Sequence, residues 1–461
     1  MSATRYASVL GLGFGDCGKG HFVDALTRQW QAHTVVRFNG GAQAGHNVID
    51  AANTNARPIG RHHTFSQFGA GTFMPGVRTL LVDPMVIHPS ALLVEAQALG
   101  HVGVNDALSR LAIDAQCRVT TPYHQAAGRL RERLRGASPH GTCGVGVGET
   151  VRHALAHPGL VLRYGDLLQV GAMQTKRQLE KLQAIRATLA SDFAASSSCG
   201  ARALVDAEWS ALQDDGLAKT WLTSARALAR QCPPQPAHEI SRYLHQAGSV
   251  VFEGAQGVLL DEWRGFHPHT TWSSISTAAV TDVAARFGIT TPIDHYGVLR
   301  SYLTRHGAGP LPTHDAALDH LPEPHNHNEG WQGRFRRGHP DAVLLRYALE
   351  AVGALSGLFV SHLDVFVRGV ALQWCERYRV LPPVAATPHG DSVDRLALTP
   401  EPDLAHQARL TELLLSAQPQ YAPEPVHSAP GLLERIASVT DVPVVMCSYG
   451  PAYEDVRAER I

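Results

Sequence analysis

The sequence predicts an α/β fold, a P-loop-like and mostly parallel central sheet flanked by helices, with helical insertions. Three observations predict it. Short apolar runs alternate with segments of helical spacing, the first run leads into a glycine-rich loop that opens a helix, and most polar motifs directly follow a predicted strand. In an open sheet of this kind, ligands sit at the carboxyl ends of the strands.

Taken in order, the apolar runs Ala7–Gly13, Thr34–Phe38, Thr79–Val82, Val250–Glu253, Gly297–Tyr302, Leu358–Leu363 and Pro443–Cys447 read as buried strands. Helical spacing marks Ser90–Leu99, Thr277–Phe287, Asp341–Val352 and Pro430–Val439. Lys176–Asp192 and Ala201–Gln231 read as consecutive helices with no strand between them, a helical insertion over 170–232 within a single large α/β domain, 1–461. The proline-rich stretch 376–429 reads as an irregular surface segment.

A net charge of −1 over 461 residues gives no electrostatic footprint for nucleic acid. Seven cysteines without CxxC spacing form neither a disulfide framework nor a zinc site. The apolar run Ala7–Phe14 is too short to cross a bilayer and ends in a glycine loop, and no signal peptide is expected. The expected setting is the cytoplasm, with small molecules as partners and neither nucleic acid nor membrane. The pairs His325/His327 and His267/His269 lack further spaced ligands and read as loop histidines.

The chemistry concentrates after the first strand. Gly13 through Lys19 has the spacing of a phosphate-binding loop, whose glycines let backbone amides of Gly15, Cys17, Gly18 and Gly20 curl around phosphate while Lys19 adds a positive charge. Position 20 is glycine, not the hydroxyl residue that normally holds Mg²⁺. Asp16 lies inside the loop instead. A carboxylate in an anion cradle repels phosphate unless a cation or proton intervenes, so Asp16 reads as a metal ligand or general base. Cys17 reads as an incidental small residue.

Gly11–Gly20, Val35–His46, Phe252–Asp261, Thr304–Thr313, Gly333–Arg337 and Leu363–Val365, in this order, resemble the signatures of the adenylosuccinate synthetase family. The match runs from residue 7 to about 372 and resumes at Val442–Pro451. The resemblance implies a GTP- and Mg²⁺-dependent homodimer that phosphorylates the 6-oxo group of IMP and replaces it with L-aspartate. By motif position, Asp16 would take the N1 proton and bind Mg²⁺, the Gly45 carbonyl would be a second metal ligand, and His46 would act as general acid. Lys19, with Gly15, Cys17, Gly18, Gly20, His21 and Asn47, would hold the donor phosphates. Asp364, His362, Ser448 and Gly450 would surround the guanine. Gln43, Cys143, Gln256, Thr271 and Gln332 would contact the substrates, with Gln256 at the reacting centre. Arg334 and Arg336 would clamp carboxylates and phosphates through their planar forks.

Departures fall mainly on the acceptor side. The family has Asn at Gln43, Thr at Cys143, Arg at Val145, two threonines at Trp331-Gln332, and lysines at His21 and His362. A partner-subunit arginine has no clear match between 149 and 163, where Arg152 is a candidate, and a C-terminal proline- and tryptophan-containing motif is missing. Three readings follow: a C–N ligase acting on IMP or a related oxo-purine, or a specialised paralogue of it with another acceptor or amine; a non-catalytic nucleotide-binding regulator; or a generic P-loop GTPase. Retention of both Asp16 and His46 favours the first, because a binder needs neither base nor acid. A phage-type branch of the family acts on dGMP and lacks the aspartate present here as Asp16.

Overall fold

The computed structural model describes residues 4–51, 60–168, 171–194, 202–326, 328, 330–380 and 392–459. Its centre is a ten-stranded sheet. The strands in chain order are β1 (Arg5–Gly11), β2 (Thr34–Arg37), β3 (Arg78–Leu81), β4 (Leu111–Asp114) and β5 (Pro234–Gln235), then β6 (Ser249–Glu253), β7 (Ile293–Arg300), β8 (Gly357–Ser361), β9 (Val444–Ser448) and β10 (Val456–Ala458). Their spatial order is β10-β9-β8-β7-β1-β6-β2-β3-β4-β5, all parallel except β10. The mostly parallel α/β sheet expected from the sequence is therefore present.

Both faces are covered, which is why the inner strands are apolar at nearly every position. Ala7, Val9, Val35, Val251 and Phe359 pack into one core, beneath helix α1 (Lys19–Gln29) and the helices Pro89–His101 and Pro122–Leu134. Tyr6, Leu10, Val36, Phe252 and Leu358 face the other, beneath Thr277–Arg286, Ala342–Val352 and Ala429–Ala437. Adjacent residues alternate between the two cores, as a pleat of period two requires. Register is fixed by the same contacts: Phe252 pairs with Ser8 on one side and Val36 on the other.

Seven of the ten strands coincide with predicted apolar runs. The other three are short: β4 has four residues, β5 two, and β10 three at the antiparallel edge. The two- and three-residue strands bury too few side chains to give a periodic signal; β4, as long as β2 and β3, was missed despite full burial. β1 ends at Gly11, two residues before the predicted end, because the chain turns there into the glycine loop.

Between β4 and β5 the chain forms the helices Ala172–Ala194, Arg202–Gln213 and Gly216–Gln231. Within 376–429, read from sequence as irregular, the described residues contain regular structure. Cys375–Val380 pairs with Ser392–Val393 and Ala417–Tyr421, and Leu404–Ser416 is helical. Buried Tyr378, Leu410 and Leu414 join it to the second core, so the many prolines there mark connections between elements. Residues 381–391 of that stretch, and His327, lie outside the described residues. No described helix is long and apolar enough to cross a membrane.

Candidate active site

The carboxyl ends of β1, β2, β6, β7, β8 and β9 open onto one cavity of about 750 Å³. Sheet order divides it. The loops after β8 and β9 lie to one side of the glycine loop, and those after β6 and β2 lie to the other.

The glycine loop follows β1 in a tight curl, with positive φ at Gly15, Asp16 and Gly18. Its carbonyls are tied outward. Arg300 Nη1 donates to Asp16 O at 2.9 Å, Ser361 Oγ donates to Cys17 O at 2.8 Å, and Leu259 N donates to Gly13 O at 3.2 Å. None of the backbone amides from Gly13 through His21 donates to another described residue. Carbonyls out and amides in make an anion cradle, completed by the N-terminus of α1. Lys19 is buried, and its Nζ reaches only Cys17 Sγ, 3.8 Å away, with no carboxylate partner among the described residues. A buried ammonium without a counter-charge favours a bound anion.

Gly20 has a steric cause. A Cβ placed there would lie 2.6 Å from His46 Cβ and 3.1 Å from the His46 backbone, so no Ser or Thr fits. The space that a P-loop hydroxyl would occupy belongs to the histidine.

His46 opens the hairpin His46–Asp50/Arg61–Phe65 and is buried. Its Nδ1 lies 2.5 Å from Glu253 Oε1. Glu253, fully buried at the end of β6, also accepts from Ala70 N at 2.9 Å. Burial pushes the Glu253 carboxyl up, but Arg37, His46 and the Ala70 amide outweigh it and hold it below its ordinary value. Burial lowers His46 to about 4, against the pull of Glu253. The resting pair is therefore a neutral imidazole donating Nδ1–H to an ionised carboxylate, which leaves Nε2 for the cavity.

Asp16 faces the same cavity, with His306 Nε2 3.9 Å from its Oδ2. Arg300, which anchors the Asp16 carbonyl, is paired in turn with Glu323 and Tyr302. On the acceptor side stand Gln43, Cys143, Gln256, Thr271 and Gln332, all lining the cavity. Gln256 sits at φ 56°, a costly backbone state for a non-glycine residue, and its Oε1 is buried without a partner. Gln43 Oε1 is likewise unpartnered. Burial pushes the Cys143 thiol up to about 11, so it is no thiolate.

On the other side, Asp364 and His362 follow β8, and Ser448 and Gly450 end β9. Asp364 is held by Arg368 at 3.2 Å. Ser361 Oγ donates to Cys17 O, so it accepts Nδ1–H from His362 at 2.8 Å. Ser448 Oγ donates to Gly450 O, so it accepts Nε2–H from His21 at 3.1 Å, leaving buried His21 Nδ1 unpartnered. Burial lowers both rings, His21 to about 4 and His362 well below its ordinary value. These two imidazoles are neutral where the family pattern has lysines.

Two predicted site residues do not line the cavity. Arg334 pairs with Asp319 at 2.5 Å, its side chain more than half exposed, and Arg336 Nη2 donates to Gly309 O at 2.5 Å. Arg152 does line it, but is paired within this chain to Glu149 and Asp192. Trp331 packs on Gly144, with Arg129 and Arg133 over its ring, while Gln332 reaches the cavity. Sequence reasoning missed Glu253, Arg300, His306, Glu132 and Glu149. Glu253 carried a usable signal, since a charge closing an uninterrupted apolar strand is buried and must be paired.

The family model described as adenylosuccinate synthetase matches residues 8–457. The adenylosuccinate synthetase of Thioalkalivibrio sulfidiphilus is 33% identical over 460 residues, covering 97% of this chain and 96% of the other. That of Myxococcus xanthus is 31% identical, covering 96% and 95%. Among solved structures, fully ligated adenylosuccinate synthetase from Plasmodium falciparum superposes with a TM-score of 0.73 at 20% identity, covering 99% of this chain and 100% of the other. A cyanophage S-2L succinoaminodeoxyadenylate synthetase bound to dGMP and dATP gives 0.60 at 14% identity, covering 99% and 95%. These two share the fold. By the family match along nearly its whole length, the chain belongs to the adenylosuccinate synthetase family, ligases that form carbon–nitrogen bonds.

Proposed function

We propose that the site activates the 6-oxo group of IMP or a related oxo-purine by phosphoryl transfer from GTP, then joins C6 to the amine of L-aspartate or a related amino acid. One observation carries the reading. Asp16 and the His46–Glu253 pair open onto the same cavity as a cradle whose amides lack partners, and whose buried Lys19 lacks a carboxylate, among the described residues.

In the first step the purine oxygen attacks the γ-phosphorus, the β–γ bridging P–O bond breaks, and the N1 proton passes to Asp16. In the second the amine nitrogen attacks C6, the C6–O bond breaks, inorganic phosphate departs and the amine loses its proton. Lys19 and the loop amides balance the charge of the transferring group. His46 rests neutral, and a phosphoryl anion at its Nε2 raises its affinity for a proton, with Glu253 steadying the imidazolium. Gln256 positions the acceptor, and Asp364 accepts from guanine N1–H and N2–H₂, which adenine lacks. Ser448, Gly450 and His362 frame the base; Arg334 reaches an amino-acid carboxylate once its Asp319 pair opens, and Arg336 once it leaves the Gly309 carbonyl.

A magnesium ion fits the donor set. Among the described residues the Asp16 carboxylate has no hydrogen-bond partner and the Gly45 carbonyl accepts no hydrogen bond, and Mg²⁺ takes few protein oxygens beside phosphate oxygens. Asp16 and Gly45 would hold it, and it would neutralise developing phosphate charge. The reading carries the family's homodimeric state and a cytoplasmic setting.

The test is phosphate release from GTP with Mg²⁺, an oxo-purine acceptor and an amino acid. Release that needs both acceptor and amine supports the ligase. Release with nucleotide alone would make the protein a GTPase.

A further inference from the structure

The segment Pro322–Asn326 lines the cavity with Asp16, and its sequence makes it stiff. Pro324 restricts Glu323 to extended backbone and takes the second place of a turn, closed by Asn326 N donating to Glu323 O at 3.4 Å. The turn is anchored from behind. Leu321 is buried in a small core with Tyr302 and Val365, and Arg337 Nη2 donates to Leu321 O at 2.8 Å. The His325 ring stacks on His62 of the hairpin that His46 opens, with centroids 4.3 Å apart.

The turn acts on Asp16 at two points. Glu323 Oε1 pairs with Arg300, the residue that donates to Asp16 O, and both side chains are buried. Glu323 Oε2 accepts from Asn326 Nδ2 at 3.1 Å, which leaves Asn326 Oδ1 as the atom facing His306. That oxygen lies 3.3 Å from His306 Nε2, so this nitrogen carries the hydrogen and donates it there. Buried His306 Nδ1 is then bare, without a partner among the described residues. The same Nε2 stands 3.9 Å from Asp16 Oδ2, too far for a hydrogen bond. A hydrogen given to Asn326 is not given to Asp16. Without that acceptor, a small rotation of the His306 ring brings Nε2–H onto Asp16 Oδ2 and occupies an oxygen that the purine N1–H must reach.

We infer that Glu323 and Asn326 are positioning residues for the ligase reaction. They draw the His306 N–H away from Asp16 and hold the Asp16 backbone through Arg300, so that the carboxylate meets the oxo-purine uncapped. The inference rests on the ligase reading, in which Asp16 takes the N1 proton.

Glu323→Ala leaves buried Arg300 unpaired and destabilises the fold, so the test is made at Asn326. Asn326→Leu removes the acceptor and keeps the ion pair. With GTP, Mg²⁺, IMP and L-aspartate, followed by phosphate release, kcat should fall about tenfold, in line with a hydrogen bond to a charged group. KM for GTP should stay within about twofold, because the phosphate cradle is untouched. The discriminating readout is rescue. Adding His306→Phe to Asn326→Leu removes the competing donor and should recover most of the lost kcat, whereas a merely structural lesion deepens with the second substitution. An unchanged kcat in Asn326→Leu, a double variant no faster than the single one, or a raised KM for GTP at unchanged kcat overturns the positioning role and leaves the ligase intact. GTP hydrolysis by the unaltered protein with no need for acceptor or amine removes the ligase reading, and this inference with it.

Discussion

His46 and Glu253, 207 positions apart in sequence, meet through a 2.5 Å contact between Nδ1 and Oε1, both side chains buried. The contact fixes the tautomer of a residue that the transfer step uses at Nε2. Glu253→Gln keeps the shape but loses the charge that steadies an imidazolium. The expected result is a fall in kcat of about 10²-fold with little change in KM for the nucleotide, within the range for general acid–base catalysis. Steady-state kinetics check it. A change in KM alone would assign Glu253 to binding.

Gly20→Ser restores the residue that an ordinary phosphate loop carries, and it should harm rather than help. Its Cβ would lie 2.6 Å from that of His46, so one of the two segments must shift. Overpacking of this kind costs about 1–3 kcal/mol. Thermal unfolding and turnover should both decline. An active, undestabilised serine variant would show that the loop has room for a hydroxyl metal ligand.

Stability should fall on acidification below neutrality. Burial holds His21 at about 4 and His124 at about 3 in the folded protein. Their unfolded values are near 6.5, so the unfolded chain binds protons that the folded one refuses. Their stabilising contribution is complete above about 6.5 and is lost as pH falls through the folded values, at about 1.4 kcal/mol per pH unit for each ring. Urea unfolding from pH 7.5 to 4.5 measures it. His124→Gln should flatten the slope by about one proton.

Asp364→Asn should weaken discrimination between GTP and ATP. A charge-assisted hydrogen bond contributes about 1.5–3 kcal/mol, so the kcat/KM ratio should fall by about tenfold or more. An unchanged ratio would place the base elsewhere.

The parts of this molecule legible in the sequence are those written locally. Strands buried on both faces, such as Ser249–Glu253 and Gly357–Ser361, show through their apolar centres, and the glycine cradle shows through its spacing. What stayed hidden depends on partners far along the chain. Arg300 anchors the Asp16 carbonyl from 284 positions away, and nothing local in Gly297–Tyr302 announces it. Glu132 and Glu149 lie on helices whose patterns resemble any half-exposed helix, and only the fold turns them toward the cavity. Arg334 and Arg336 illustrate the converse. A motif placed them in the site, but a local ion pair and a carbonyl hold them at its edge.

The most direct test uses an acceptor labelled with ¹⁸O at the 6-oxo position. If the cradle delivers a phosphoryl group to that oxygen, the label leaves with it, and the inorganic phosphate released during turnover contains ¹⁸O in proportion to product formed. Unlabelled phosphate from a reaction that still forms the C–N bond would contradict phosphoryl activation of the acceptor.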